Sequence, residues 1–312
     1  MPDSGSGLFT DIEEYRAALP VAAELLVLHP SRFRALLTVG KLPYMGLLRA
    51  CEATARVAYL RLGHAHAVVS FPISRNSSLV YNGLELRHGE LVFHQPGESF
   101  HQRITGESCW GVISTSAAYL ASSSRAVLGR TVRPPRITRI VTPRPLDYTA
   151  LLRLHARAGR LAETNLSRIA HPEVARALNQ DLLLAFLACL SAGRSRRLPP
   201  TCRRHVKLLA GFEDGMAEQS GLLTPAELTE AAQVSGRTLQ ACSARVLGMD
   251  PHSYQIRKRL RRIELALLRT VTAGGVLEDA AKQHGFSGVQ QFEDGYRSAY
   301  GEASSVFLSH GM

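Results

Sequence analysis

The sequence predicts an α+β protein of two domains, a β-rich barrel with flanking helices followed by an all-α domain. The 312 residues suit about two domains. Short β-like runs between turn signals fill residues 32–129. Helical spacing without β alternation continues from residue 205 almost to the end. The basic, proline-containing segment 193–204 is the predicted linker, so the expected domains are 1–192 and 205–312.

The β-rich region contains several short apolar runs between tight turns. Asn82-Gly83 and Pro96-Gly97 are the strongest turn signals. This spacing is typical of a small antiparallel barrel or jelly roll. Residues 1–30 are interpreted as an amphipathic helical lead-in, and Val132–Pro145 as a connecting segment.

Two helices are expected between the β-rich region and the linker, at about Leu146–Glu163 and Pro172–Ala192. The second carries an apolar face at near-helical spacing, made of Val174, Leu178, Leu182, Ala185, Phe186 and Cys189. Because this face precedes the linker, we expect residues 1–192 to form a separable sensing and dimerisation unit, with a twofold homodimer as the default assembly.

Composition limits the possible partners and compartments. The net charge of +11 divides into +10 for residues 1–197 and +1 for residues 198–312, so total basicity only weakly supports an anionic partner. The five cysteines lack a CxxC pair, which favours a reducing cytoplasm over disulfides or a zinc site. No signal peptide and no apolar run of membrane-spanning length is recognised, so no membrane partner is expected.

Residues 224–247 have the spacing of a helix-turn-helix unit. Thr224 can cap a helix that has Pro225 at its first position and Glu227 at its third. After a break at Gln233-Val234, Ser235 is the predicted cap of a second helix, Gly236–Val246. That helix would turn Leu239 inward and leave outward Arg237, Thr238, Gln240, Ala241 and Arg245. In this motif the second helix enters the major groove of DNA.

A second copy of the pattern occupies residues 276–300. Ala280 and Ala281 are small enough for close helix crossing, and Gly285 supplies a turn with positive φ. Phe286 is predicted to be buried in the core of this unit, and Ser287 is predicted to cap the following helix. Phe292, Tyr296 and Tyr300 recur every four residues as its buried stripe.

These motifs resemble the DNA-binding domain of the AraC/XylS-type transcription regulators across Leu223–Leu308. The similarity is carried by VSGRTLQ, LGMDPHSYQIRKRLRRIELALL and DAAKQHGFSGVQQFEDGYRSAYGEASSVF. It implies two helix-turn-helix units joined by one long helix, here about Pro251–Leu268, with two recognition helices in neighbouring major-groove turns of double-stranded DNA. The β-rich half resembles a cupin-like sensor domain only through a generic pattern, LRHGELVFHQPGESF. That similarity implies an effector of unknown identity, and a regulator of this kind is also a possible partner of RNA polymerase.

The candidate DNA-contacting residues come from both units and the joining helix: Ser235, Arg237, Thr238, Gln240, Arg245, Arg257, Lys258, Arg261, Ser287, Gln290 and Gln291. The run RKRLRR at 257–262 is expected to contact phosphates, the alternative being a solvated basic face. Arg237 is placed to pair with guanine, although phosphate contact alone fits equally well.

Four departures from the family pattern indicate a divergent member. Gln233 stands where glycine is usual, which places a side chain at positive φ. Ala241 and Ser243 replace an outward arginine and a core aromatic. Asp294, after Glu293, replaces an arginine and would repel phosphate, and Ser304 replaces a proline.

The main alternative is a cupin-type metalloprotein or enzyme with a degenerate helical domain, which the acidic Glu293-Asp294 pair favours. The candidate metal ligands are four histidines, His64, His66, His94 and His101, because pairs of imidazoles bind zinc, iron or copper. Because no carboxylate follows His66 at metal-site spacing, we expect no metal and no cofactor. No catalytic motif is recognised, so an enzyme is not expected. The aromatic residues Phe93, Phe100 and Trp110 either line a small-molecule pocket or belong to the core.

Overall fold

The structure, a computed structural model, describes residues 4–28, 32–218, 222–270 and 276–301. It confirms the α+β class, with the strands in the N-terminal part and only helices among the described residues after 200. The strands are β1 Gly5–Phe9, β2 Ala22–Val27, β3 Ala35–Lys41, β4 Met45–Glu52, β5 Arg56–Arg61, β6 His66–Pro72, β7 Leu79–Tyr81, β8 Leu84–Leu86, β9 Leu91–Phe93, β10 Ser99–Ile104, β11 Ser108–Ser116, β12 Arg139–Thr142 and β13 Arg194–Arg197.

The strands form two antiparallel sheets that share one apolar core. The larger sheet has the order β1-β3-β4-β11-β6-β9-β12-β13, and the smaller has the order β2-β5-β10-β7-β8. Leu37 and Trp110 from the larger sheet pack in the same core as Leu60 and Phe100 from the smaller. Among the described residues the two sheets do not join edge to edge, so the predicted barrel is a sandwich rather than a closed barrel.

The helices of the N-terminal part are α1 Ile12–Ala18, α2 Ala117–Leu128, α3 Pro145–Thr164, α4 Leu166–Ala170 and α5 Pro172–Ala192. The C-terminal helices are α6 Pro200–Glu218, α7 Pro225–Ala231, α8 Gly236–Val246, α9 Pro251–Thr270, α10 Val276–Gln283 and α11 Val289–Tyr300.

The apolar face of α5, on which the predicted dimerisation unit rests, packs in the core of this chain, and dimerisation itself stays a prediction. Leu178 is 3% exposed and Phe186 is fully buried, because α5 packs with α3 over the larger sheet in one core that includes Leu47 and Ile113. By length and apolar composition α5 is the one helix in the described part that could cross a membrane. Because α5 is half-buried in this core, its length and composition are only weak evidence for a membrane span.

Three segments predicted to lack strands contribute strands to the sheets. The supposed helical lead-in, residues 1–30, contains β1 and β2 around the short helix α1, and its residues 1–3, 29 and 30 lie outside the described part. The supposed linker 193–204 supplies β13, which pairs with β12 from the connecting segment 132–145, and then the start of α6 at Pro200. Backbone pairing across long sequence distances leaves little trace in local composition, which is why these strands were not predicted.

The turn prediction is confirmed, whereas the cysteine prediction is wrong. Asn82 and Gly83 adopt φ of 46° and 79° between β7 and β8, as a two-residue hairpin turn requires. Cys51 on β4 lies directly opposite Cys109 on β11, and the two form a disulfide. Their separation of 58 residues carries no local signal, because only the sheet register brings them together.

Candidate nucleic-acid interface

The first helix-turn-helix unit has the predicted caps. Thr224 Oγ1 accepts from the Glu227 amide at 3.3 Å while Glu227 Oε2 accepts from the Thr224 amide at 2.7 Å, which completes a capping box before α7. Ser235 Oγ accepts from the Thr238 amide at 3.4 Å and so caps α8. The Ser235 and Thr238 hydroxyls therefore hold the start of the recognition helix in place.

The turn between α7 and α8 forces a side chain into the left-handed region. Gln233 has φ of 53°, which confirms the expectation drawn from its replacement of glycine. A left-handed conformation costs a residue with a Cβ about 1–2 kcal/mol. The turn between α7 and α8 thus keeps a left-handed residue at position 233, and the side chain of Gln233 makes this conformation costly.

We expect Gln233→Gly to raise the free energy of unfolding by about 0.5–1 kcal/mol, because relief of the left-handed strain exceeds the added entropy of the unfolded chain. Gln240→Gly, at an exposed position within α8, should instead lower it by roughly 0.5–1 kcal/mol. Urea unfolding of both variants measures the difference. A loss of stability in both would contradict strain at residue 233.

The outer face of α8 is arranged as predicted, with one exception. Leu239 is 2% exposed, whereas Arg237 and Gln240 are exposed and Thr238 is half-buried. Arg245 is also exposed, but its Nε donates to the Gly83 carbonyl at 3.2 Å, so it contacts the β7–β8 hairpin. Arg237 and Gln240 are therefore the polar side chains that the structure leaves open on this helix.

The core of this unit contains small polar residues where the family pattern has an aromatic. Cys242 and Ser243 are buried beneath α8, and the Ser243 hydroxyl has no hydrogen-bond partner among the described residues. The apolar contacts come instead from Leu228, Leu239 and Val246.

The second unit has the predicted core. Ala280, Ala281 and Phe286 are buried at the crossing of α10 and α11, and Gly285 has φ of 86°. The stripe of α11 is buried as well, at 2%, 1% and 7% exposure for Phe292, Tyr296 and Tyr300. Both α8 and α11 pack against α9, so one long helix joins the two units as expected.

The start of α11 differs from the prediction. The N-cap position is Gly288, so the expected side-chain cap by Ser287 is wrong. Gln291 Oε1 accepts instead from the Ser287 amide at 2.5 Å. On the exposed face, Gln290 Nε2 donates to Asp294 Oδ1 at 3.1 Å. The acidic Asp294 therefore shares a face with a residue expected to contact DNA, and Ser304 lies outside the described residues.

Lys258 and Arg261, two residues of the basic run on α9 that is predicted to contact phosphate, pair with carboxylates of this chain. Lys258 Nζ lies 2.7 Å from Glu24 Oε2 and also pairs with Glu213, and Arg261 Nη2 lies 2.8 Å from Glu13 Oε1. Both cationic side chains are 12% exposed. Phosphate contact by Lys258 and Arg261 stays a prediction, and it would require them to leave the carboxylates of Glu13, Glu24, Glu213 and Glu264.

Arg257, the third predicted contact in this run, is also occupied by internal contacts. Its guanidinium lies 5.1 Å from the Tyr300 ring centre, and Nη1 lies 3.5 Å from the Leu28 carbonyl oxygen. Burial lowers the pKa of this guanidinium. A run of cations in the sequence could not reveal the partners Glu13, Glu24 and Leu28, which lie more than 200 residues away in the chain.

Glu213, on α6, lies at the centre of the contact between the β-rich part, which contains the sheets and α1–α5, and the helical part, α6–α11. Its Oε1 lies 2.9 Å from His101 Nε2 on β10 and accepts from the Tyr254 hydroxyl at 2.5 Å. Burial alone raises the pKa of this carboxyl, but the hydrogen bond from His101 and the charge of Lys258 outweigh it and hold the pKa at about 2. Glu213 is therefore a buried anion at neutral pH, stabilised by groups from both parts.

Apolar packing extends the same contact. Leu26 on β2 and Val57 on β5 belong to one core with Leu209, Phe212 and Tyr254 of the helical part. The first helix-turn-helix unit is thus docked on the smaller sheet through both apolar and charged groups.

A cavity of about 490 Å³ lies between the two sheets. Of the three aromatics considered for a pocket or a core role, Trp110 and Phe100 line the cavity, whereas Phe93 packs in the other core, under α3 and α5. The remaining walls are mostly apolar, and the basic side chains of Lys41 and Arg61 also line the cavity. A volume and lining of this kind suit a small, largely apolar molecule.

The histidines considered as metal ligands serve other contacts. His94 Nε2 lies 2.7 Å from Ser70 Oγ and its Nδ1 lies 3.1 Å from Glu98 Oε2, while His101 contacts Glu213. His64 lies against Gly97, and His66 lines the cavity. Within the described ranges, no three histidine, cysteine, aspartate or glutamate side chains are grouped as a metal ion would need.

No protein-family model matches the chain. The solved structures that it resembles include the AraC-like transcriptional activator CuxR, with a TM-score of 0.43 and 17% identity over 90% of this chain and 100% of that one. They also include ToxT from Vibrio cholerae O395, with a TM-score of 0.29 and 13% identity over 85% and 96% of the two chains. A ToxT from strain SCE256 with bound unsaturated fatty acid gives 0.29 and 11% over 99% and 97%. CuxR is described as AraC-like, which is the family that the C-terminal motifs of this chain resemble.

Proposed function

We propose that the chain is a sequence-specific DNA-binding transcription regulator whose N-terminal part binds a small-molecule effector. The observation that carries the proposal is the pair of helix-turn-helix units packed on one joining helix, α9. In each unit the second helix, α8 or α11, is amphipathic and presents exposed polar side chains. Helices of this kind read base edges in the major groove.

The proposed DNA contacts are polar side chains of α8 and α11, the second helix of each unit. They are Arg237, Thr238 and Gln240 on α8, and Gln290 and Gln291 on α11. Ser235 and Ser287 lie at the helix starts, where backbone and hydroxyl groups commonly meet phosphate. Arg245 would join them only after leaving Gly83. No catalytic step and no cofactor form part of the proposal.

The proposed effector site is the cavity between the sheets. Its apolar walls and the nearby Lys41 and Arg61 favour a small apolar molecule with an anionic or hydrogen-bond-accepting group. We further propose a cytoplasmic location and a homodimer, the commonest assembly of such proteins, with RNA polymerase as a partner at promoters. Light scattering of the full chain tests the dimer, and a monomer at tens of micromolar would refute it.

We expect Arg237→Ala to weaken binding to the preferred DNA sequence by about 1–3 kcal/mol and binding to a scrambled duplex by much less. The reason is that a base contact contributes only on the correct sequence, whereas a phosphate contact contributes on both. Titration of both duplexes at one salt concentration measures the difference. Arg153→Ala, at an exposed position on α3, is the matched control and should change neither affinity. Equal losses on both duplexes would assign Arg237 to phosphate.

A further inference from the structure

The Cys51–Cys109 pair differs from the other cysteines in accessibility. Cys51 and Cys109 are half-buried, whereas Cys189, Cys202 and Cys242 are free and buried. Burial raises the pKa of all three free thiols, to about 12 for Cys189 and Cys242. Because the thiolate is the reactive form, the buried three are expected to be inert, and the pair remains as the accessible site.

The backbone keeps the two cysteines opposite each other without help from the sulfur bond. The Cys109 carbonyl accepts from the Ile73 amide at 2.8 Å and from the Ser77 hydroxyl at 2.7 Å, and the Cys109 amide donates to Ser77 Oγ at 3.1 Å. These bonds point away from β4, so Cys51 and Cys109 occupy a non-hydrogen-bonded position, where facing side chains are closest. Their Cα atoms are 4.1 Å apart. The sheet register and the Cys109 hydrogen bonds, which do not involve sulfur, thus place the two cysteines opposite each other.

The pair is adjacent to one wall of the cavity on both strands. Trp110 follows Cys109 and lines the cavity, and Glu52 follows Cys51. Trp110 Nε1 donates to Glu52 Oε1 at 2.7 Å, so one hydrogen bond joins the residues that follow the two cysteines. Glu52 in turn accepts from the Tyr15 hydroxyl at 2.9 Å and from Arg56 Nε at 2.6 Å. The chain neighbours of the two cysteines, Glu52 and Trp110, thus belong to one buried, hydrogen-bonded group that holds the indole.

We propose that Cys51 and Cys109 are a reversible thiol–disulfide site that responds to hydroperoxides and alters the cavity wall formed by Trp110. One thiol reduces the O–O bond of hydrogen peroxide, becoming a sulfenic acid and releasing one water. The second thiol attacks that sulfur, the S–S bond forms, and a second water leaves. Two electrons and two protons pass from the cysteines to the peroxide in total. In a reducing cytoplasm the pair would return to thiols by exchange with cellular dithiols.

The site does not require the proposed DNA-binding function, so it can be tested separately. Full-length protein is reduced, freed of reductant without air, and titrated with hydrogen peroxide in small excess. Remaining thiols are labelled with a maleimide of known mass, and the emission of Trp110, the single tryptophan of the chain, is recorded in parallel. Loss of two labelled thiols in one step, with a simultaneous fall in Trp110 emission and full recovery on adding dithiothreitol, is the expected result.

Matched variants identify the sulfurs. Cys51→Ser and Cys109→Ser should each abolish both the intramolecular bond and the emission change, whereas Cys202→Ser should preserve both. If a serine variant fails to fold, the peroxide titration of the wild-type protein still tests the proposal through its thiol count and Trp110 emission. The proposal is overturned if the bond forms between chains, if dithiothreitol cannot reduce it in the folded protein, or if Trp110 emission is the same in both states.

Discussion

Replacing Glu213 with alanine is expected to lower the free energy of unfolding by about 3–5 kcal/mol, since removing one partner of a buried ion pair leaves the other charge uncompensated. Glu213 is 4% exposed and contacts His101, Tyr254 and Lys258, which belong to both parts of the protein. Lys258 would retain only Glu24, whose side chain is 53% exposed and therefore a weaker partner. Chemical unfolding monitored by circular dichroism measures the loss.

The neighbouring Asp214 is exposed on the same helix and provides the control. Asp214→Ala should change the unfolding free energy by about 0.5 kcal/mol or less. Equal effects of the two substitutions would show that the contact between the parts does not depend on the Glu213 carboxylate.

The same carboxylate predicts a pH dependence. The pKa of Glu213 is lowered from the ordinary value of 4.5 to about 2 in the folded protein, so ionised Glu213 stabilises the fold above pH 4.5. As pH falls from 4.5 towards 2, the unfolded chain binds a proton that the folded chain does not, and stability decreases by up to about 1.4 kcal/mol per pH unit. The Glu213→Ala variant should lack this contribution. Identical acid profiles for the two proteins would contradict the assignment.

Asp294→Arg is expected to tighten DNA binding and to steepen the dependence of log affinity on log salt by about 0.9, the value for one additional phosphate contact. Asp294 is exposed and accepts a hydrogen bond from Gln290, which places the carboxylate on the face of α11 proposed to meet DNA. The substitution removes a charge that repels phosphate and adds one that attracts it. Binding to one duplex at several salt concentrations gives both quantities.

A second charge reversal separates a local contact from a change in net charge. Glu173→Arg changes the net charge equally but lies at the start of α5, in the β-rich part. It should leave the salt dependence unchanged, since exposed charges beyond a Debye length of about 10 Å are largely screened. If Asp294→Arg also leaves affinity and slope unaltered, the second helix-turn-helix unit has a structural role and DNA is read by α8 alone.

The helical part was predictable because its signals are local. Thr224 and Ser235 mark helix starts through their own side chains, and the spacing of Phe292, Tyr296 and Tyr300 marks a buried face directly. Pro251 marks the observed start of α9 for the same reason. The positive φ of Gln233 was also predictable, because Gln233 replaces the glycine that is usual at this position in the family pattern.

The contacts between the parts were not predictable, because they join residues far apart in the chain. The basic run on α9 was correctly placed on a helix, but its partners Glu13 and Glu24 come from the first strands and helix of the fold. The disulfide likewise depends on the register of β4 and β11. Nothing in the neighbourhood of Lys258, Arg261 or Cys51 indicates these partners, since each requires the folded sheet.

Selection of bound sequences from a random pool of DNA duplexes tests the central claim most directly. Two recognition helices on one joining helix predict enriched sites with two short blocks about 10 base pairs apart, one for each major-groove contact. Arg237→Ala should relax the preference at one position within a single block and leave the other block intact. Failure to enrich any sequence, at low as well as at physiological salt, would contradict the account and show that these helix-turn-helix units do not read DNA.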